Sequence, residues 1–529
     1  MKHKIIFLLS LLLFVFTLTV KAQDNLLEIE DASPGISLEG RIPLLLIHGW
    51  NYDGKPSPPA TGQWNNFLNY LLNDPELREF YKPYFVKYWS NSISVNTIAG
   101  LLRDRVQQAG FHEKEIVIIA HSMGGLVSRS FMNEYTYTSG RFNGKKCGEN
   151  VRLLITLGTP HHGSPMANGP ARDNEVDFLM KLTLSTVENM AFKDVKYNEV
   201  NRSDLRWDNY DNLLDYNKYP GEKNDWLVNL NANTIFDSKT ICYSSTVTGV
   251  FKLPPLNTVK EQYQVGAYIL KESFDVENDG IVPIESSSFA GHTPKQVRFF
   301  EEHNHAEINT GIEGSTELND SIKFDLMNIV PPVITWPVVK NEFLKHSQYR
   351  NITWKCPSSI YQVNIWLSLD SGLTYNRIAE NFNAQNLAYN WFIPDTNSTK
   401  CLIKISDALN DNNFSVSDNA FYIFHNKVSF ESPTSKSYFA PEKNNSVGWN
   451  QYGLSEMVKI TYTDPKHNFE KILSQEYPAR NFNNSFSFYA DNSFPPTDSA
   501  FITIQLLGLE KYYDDEVYTF KTQPFMFLG

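Results

Sequence analysis

Two different patterns of apolar and polar residues divide the chain near residue 330. From about 36 to 330, apolar runs of strand length alternate with stretches of helical period. Ile42-Pro43-Leu44-Leu45-Leu46-Ile47 is continuous in its apolar character, as a strand covered on both faces should be. Trp64, Phe67, Leu68, Leu71 and Leu72 recur at helical spacing. The segments 84–89, 115–120, 151–157, 240–246 and 296–300 read as further strands, and 98–109 as a helix. This order predicts a mostly parallel sheet with helices on both faces. Residues 165–235 interrupt it. Val176 to Phe192 reads as an amphipathic helix through Phe178, Leu179, Leu182, Leu184 and Val187, and an Asn-, Asp- and Tyr-rich stretch follows. An insertion of this length forms either a cap over a site or a solvated peripheral subdomain.

Beyond Pro331-Pro332 the period shortens to two, the mark of half-buried strands. The pattern also repeats. Ile352-Thr353-Trp354 is echoed by Val447-Gly448-Trp449, Val363–Ser368 by Val458–Thr463, and Cys401–Asp407 by Ala500–Leu506. A repeat of roughly 100 residues predicts two tandem immunoglobulin-like sandwiches, over 331–426 and 427–529. The second copy lacks the usual inter-sheet cysteine pair around a tryptophan, so the strand topology stays open.

Composition changes the picture in three ways. Lys2 and Lys4, an apolar stretch from Ile5 to Val20 and the small-residue site Val20-Lys21-Ala22 read as a signal peptide over 1–22. The mature chain is then expected to begin near Gln23, in the medium, on the cell surface or in the periplasm, with no transmembrane span. Losing three leader lysines takes the net charge from −12 to −15. Such a surface argues against nucleic acid and against electrostatic docking on anionic membranes. The four cysteines are too few for a disulfide framework. Cys147–Cys242 and Cys356–Cys401 bridges would each stay within one domain, and free buried thiols are the alternative.

The chemistry starts at Ile118-Ile119-Ala120-His121-Ser122-Met123-Gly124-Gly125, where an apolar strand ends in small residues and passes straight into a helix. Such a corner lifts a serine out of the fold as a nucleophile elbow. A plain helix N-cap at Ser122 is the competing reading. A serine nucleophile needs a base, an acid to orient the base, and two donors for an oxyanion. Downstream lie Asn278-Asp279-Gly280 and His303-Asn304-His305. Asp279 is the candidate acid, with Asp275 and Glu277 as rivals, and His305 the candidate base, with His303 as its rival. The Met123 amide follows the nucleophile, and Gly49 lets the Trp50 amide turn toward it, so these two are the candidate oxyanion donors.

With these segments the chain resembles the lipases and carboxylesterases of the α/β-hydrolase fold. Four segments carry the resemblance: Leu46-Ile47-His48-Gly49-Trp50, Ala120–Gly125 (with Ala120 where glycine is commoner), Thr156-Leu157-Gly158-Thr159-Pro160-His161-His162-Gly163-Ser164, and Asn278–Gly280 with Asn304-His305. The resemblance covers roughly residues 40 to 310. It implies an α/β-hydrolase domain over 23–330 and a Ser122–Asp279–His305 triad acting on a lipid or other acyl ester, and it makes His161 and His162 structural or cleft-lining. Thioesterase, polyester depolymerase, glycolipid deacylase and acyltransferase chemistry would use the same residues. No cofactor and no metal is implied. The sandwiches are open to a role in binding polysaccharide or a cell surface.

Overall fold

The computed structural model describes residues 26–50, 62–88, 93–192, 200–340, 342–453, 455–480, 482–509 and 517–528. The leader expected over 1–22 lies outside them. The chain divides into two compact units between Ile329 and Val330.

In the first unit, seven strands form one sheet: β1 (Leu27–Asp31), β2 (Ile42–Ile47), β3 (Tyr81–Tyr88), β4 (Ile116–His121), β5 (Val151–Leu157), β6 (Thr240–Ser245) and β7 (Gln296–Phe300). Their spatial order is β1-β3-β2-β4-β5-β6-β7. All neighbours run parallel except the edge strand β1, which is antiparallel to β3. Leu44 to Ile47 and Ile116 to Ala120 are wholly buried, which accounts for apolar runs without alternation. β1 was not among the expected strands, although Leu27 and Ile29 alternate with Glu28 and Glu30. β3 starts three residues earlier than expected, because Tyr81 and Lys82 pair with Ile42 and Pro43. Pro83 needs no donor toward β1, whose ladder ends at Asp31 opposite Tyr84.

Helices α1 (Asn65–Asn73), α2 (Val95–Gln108), α3 (Met123–Glu134), α4 (Phe178–Phe192) and α5 (Val259–Phe274) include those that place the site. α2 is capped by Ser94, which accepts from the Thr97 amide, and α5 by a reciprocal Thr258–Glu261 capping box. The insertion helix α4 buries Leu184 and Val187 but leaves Phe178, Leu179 and Leu182 more than half exposed, so its apolar residues face two ways. Among the described residues no helix is long and apolar enough to cross a membrane.

None of the four cysteines is in a disulfide, which corrects the bridged alternative. The side chains face other partners: Cys242 Sγ lies 3.6 Å from His161 Nε2, and Cys401 Sγ 3.6 Å from the Ser398 carbonyl. Burial pushes the thiols of Cys147 and Cys242 up to about 12.

The second unit holds two β-sandwiches in tandem. In the first, the sheet of Val333–Trp336, Tyr349–Lys355 and Ala388–Phe392 faces a sheet built on Gln362–Ser368 and Ser398–Asp407. In the second, Lys427–Ser432, Lys443–Tyr452 and Asn484–Ala490 face a sheet built on Met457–Asp464 and Thr497–Leu507. The repeated tryptophans, Trp354 and Trp449, are buried in the two cores. Each sandwich also joins a short early strand in parallel to its last one: Phe343–Lys345 to Phe421–Phe424, and Tyr438–Phe439 to Phe525–Phe527.

Candidate active site

β4 ends at His121, and Ser122 takes φ 53° and ψ −127° before the chain enters α3. A non-glycine residue in such a setting costs of order 1–3 kcal/mol and is retained where its surroundings enforce it. The Ser122 amide donates to the Leu157 carbonyl at 2.9 Å, tying the corner to β5. The Ser122 side chain makes no capping bond to α3, so the N-cap reading has no hydrogen bond behind it. Close approach explains the small neighbours. A Cβ on Gly124 would lie 2.5 Å from the His48 carbonyl oxygen, and one on Gly49 would lie 2.7 Å from Ser122 Cβ. The loop after β2 therefore rests directly on the corner.

Three distant segments meet there. His305 Nε2 lies 2.9 Å from Ser122 Oγ, and His305 Nδ1 lies 2.7 Å from Asp279 Oδ2. Asp279 is fully buried, and its other oxygen accepts from the amides of Ile281 and Val282 at 3.0 and 2.8 Å. With one oxygen committed to the turn, the other faces the imidazole. The His305 amide donates to the Asp279 carbonyl at 2.9 Å, linking the two loops by backbone. Asn304 fixes the histidine loop from the other side: its side-chain oxygen accepts from the amides of Ala306 and Glu307, and Glu307 accepts from the Asn304 amide.

The rivals are engaged elsewhere. Asp275 and Glu277 pair with Lys271 at 2.8 and 3.0 Å, and His303 Nδ1 donates to the Glu301 carbonyl at 2.8 Å. Trp50 stands in the wall of the cavity that holds Ser122, and Met123 is the buried first residue of α3. That cavity, about 160 Å³, is mostly apolar and is closed by Leu205, Tyr263, Ile281 and Val282 as well. Leu205 and Ser164 bring the insertion and its approach into the wall. A larger polar cavity of about 940 Å³, lined by Asp208, Tyr210 and His162 among others, does not contain the serine.

Two histidines of the motifs have roles the sequence did not reveal. His121 donates from Nε2 to the His305 carbonyl at 2.8 Å, so the strand carrying the serine also holds the backbone of the histidine. Burial lowers its pKa to about 3, with His305 adding to the effect. His48 donates from Nδ1 to the Gly49 carbonyl at 2.7 Å and stacks on Tyr88, and burial lowers it to about 4. Both are neutral posts for the loops around Ser122. The only advance signal was their place beside Gly49 and Ser122. His161 is sealed against Phe289, with its pKa held well below the usual range by burial, and His162 bonds Asp208 at 2.7 Å. Neither lines the Ser122 cavity.

Strand order, elbow and loop geometry define the class of fold: an α/β-hydrolase fold. Residues 85–204 match the family model of the PGAP1-like alpha/beta domain. No curated protein matches the chain in sequence. Among solved structures, the mature form of the Bacillus licheniformis lipase BlEst2 is similar at 15% identity and a TM-score of 0.37, over 57% of this chain and 97% of that one. Its propeptide form is similar at 12% identity and a TM-score of 0.37, over 94% and 95%. A titin I-band fragment is similar at 10% identity and a TM-score of 0.24, over 38% and 66%. At these scores the likenesses carry no argument, and the fold rests on this chain's own geometry.

Proposed function

We propose that the protein is a secreted serine ester hydrolase acting on lipid-like acyl esters. The observation that carries this reading is the continuous relay from Ser122 Oγ through both nitrogens of His305 to Asp279. Ser122 attacks the acyl carbonyl while His305 Nε2 takes the hydroxyl proton. Asp279 holds the imidazole in the tautomer with Nδ1 protonated and stabilises the imidazolium. The amides of Trp50 and Met123 receive the oxyanion, and each such donor contributes about 3 kcal/mol to the transition state. His305 then returns the proton to the departing alcohol, leaving an acyl-enzyme. Water, deprotonated by the same nitrogen, releases the acid and restores Ser122.

The apolar lining of the cavity and the exposed Phe178, Leu179 and Leu182 on the insertion helix support a water-insoluble acyl group. Reaction of the mature chain with a fluorophosphonate probe should label Ser122, and Ser122→Ala should abolish both labelling and hydrolysis of p-nitrophenyl esters. Full activity in that variant would reject the mechanism. Activity confined to acetate and butyrate esters, with none on emulsified triglyceride, would leave an esterase.

The exposed Tyr349–Phe392 pair, 5.1 Å between ring centroids, supports a second role for residues 331–529 in attachment to polysaccharide or a surface. Retention of the whole chain on insoluble polysaccharide, lost in Tyr349→Ala, would test it.

A further inference from the structure

The parallel strand pair of the first sandwich ends in two histidines side by side. Lys345 lies opposite Phe424 in the register, so the next residues along, His346 and His425, leave the pair together. Their rings stack at 4.1 Å between centroids. His425 Nδ1 is in direct contact with Asp395 Oδ1, and His346 Nδ1 lies 3.5 Å from the same oxygen and 2.9 Å from Ser347 Oγ. Among the described residues these three form the one cluster of histidine, cysteine and carboxylate side chains whose ligand atoms lie within 4.8 Å of one another.

Hydrogen bonds to the backbone place the segments that carry the three side chains. The Ser347 amide donates to the Ile393 carbonyl at 2.8 Å, and the Ile393 amide to the Gln348 carbonyl at 2.9 Å, which brings the Asp395 loop beside His346. Asn397, two residues past Asp395, accepts the His425 amide at 2.7 Å. The side chains are 21%, 29% and 57% exposed for His346, His425 and Asp395, so solvent and ions can reach them.

An ordinary ion pair accounts for only half of this arrangement. One imidazolium would satisfy the carboxylate, and the second ring, stacked on the first, gains nothing from a charge. A neutral His346 can accept the Ser347 hydroxyl at Nδ1, 2.9 Å away, and that lone pair is the one an ion would take. The fold does not require the histidines either. In the second sandwich the corresponding parallel pair, Phe439 opposite Phe527, is followed by Ala440 and Leu528.

We propose that His346 Nδ1, His425 Nδ1 and Asp395 Oδ1 bind one divalent transition-metal ion of the zinc type. Two imidazoles and a carboxylate are the donor set such ions favour, whereas calcium and magnesium take six or more oxygens. A tetrahedral ion about 2.0–2.1 Å from each ligand spaces its ligands roughly 3.3 Å apart, close to the His346–Asp395 separation. Binding replaces the His425–Asp395 and His346–Ser347 hydrogen bonds: each ring takes its Nε2–H tautomer, both rings turn out of the stack to aim Nδ1 at the ion, and water fills the fourth position. Only Asn426 separates His425 from Lys427, where the second sandwich begins, so the ion would brace the end of one sandwich at the start of the next.

The test uses the full mature chain stripped with chelator and titrated with Zn²⁺ alone by calorimetry, with Co²⁺ absorption as a second readout. Wild type should bind one equivalent more than the His346→Ala/His425→Ala variant, and Zn²⁺ should raise the melting temperature of wild type only. Asp395→Asn, which keeps the side-chain shape, should weaken that equivalent at least about tenfold. Circular dichroism without metal checks that each variant is folded. Should the double variant misfold, Asp395→Asn decides alone. Equal stoichiometry and equal Zn²⁺ shifts in wild type and folded variants would overturn the proposal and leave an ion pair only.

Discussion

Replacing Asp279 by Asn tests the relay at its most constrained point. Oδ1 accepts two amides, from Ile281 and Val282, and an asparagine must keep its carbonyl oxygen there to avoid facing two N–H groups with its own. Its NH₂ group then occupies the place of Oδ2, 2.7 Å from His305 Nδ1. The imidazole must answer with a lone pair on Nδ1, which moves its proton to Nε2. That nitrogen then points an N–H at Ser122 Oγ and can no longer take the serine proton. A triad locked in the wrong tautomer loses about 10⁴-fold in kcat, or ~5.4 kcal/mol at 1.36 kcal/mol per decade. The turn keeps both backbone hydrogen bonds, so the melting temperature should change little. The assay is steady-state hydrolysis of p-nitrophenyl butyrate beside the rate of fluorophosphonate labelling, and both rates should fall together. Activity within tenfold of wild type in a folded Asp279→Asn protein would show that Asp279 does not set the tautomer.

Three further outcomes follow from packing and burial. A Cβ at Gly125 would lie 2.0 Å from Thr159 Oγ1, so Gly125→Ala should destabilise the first unit by about 1–3 kcal/mol in urea unfolding, and Thr159→Gly should restore much of the loss. Stability should fall as pH drops from about 6.5 toward 4, because His48 and His121 are neutral when folded, with pKa values of about 4 and 3, yet protonate near 6.5 when unfolded. The unfolded state binds the extra protons in that window, at about 1.4 kcal/mol per pH unit for each histidine. A urea midpoint unchanged between pH 7 and 5 would contradict this. Trp449→Ala should cost roughly 3–5 kcal/mol in the second unit and leave kcat unaltered, as calorimetry and the ester assay would show.

Much of the fold was legible because parallel strands buried on both faces must be apolar throughout. The runs at 42–47 and 151–157 match observed strands residue for residue. The sandwich repeat was legible for a related reason: Trp354 and Trp449 each fill a core, and a core position tolerates few residue types. The edge strand β1 escaped notice because it is short and stands outside the long apolar runs. The direction of Phe178, Leu179 and Leu182 was not legible either, since period shows a face but not what lies opposite it.

Local sequence by itself determined the strand-to-helix corner at Ser122 and the order of the residues that could serve it, because those depend on chain stiffness and size within a few positions. Tertiary structure alone decided that His305 and not His303 reaches the serine and that Asp279 and not Asp275 reaches His305. It also decided that His121 steadies the loop opposite and that His346 and His425 converge on Asp395. Those choices are made across gaps of up to 184 residues, where distance is set by sheet register and loop hydrogen bonds and leaves no mark on the neighbouring residues.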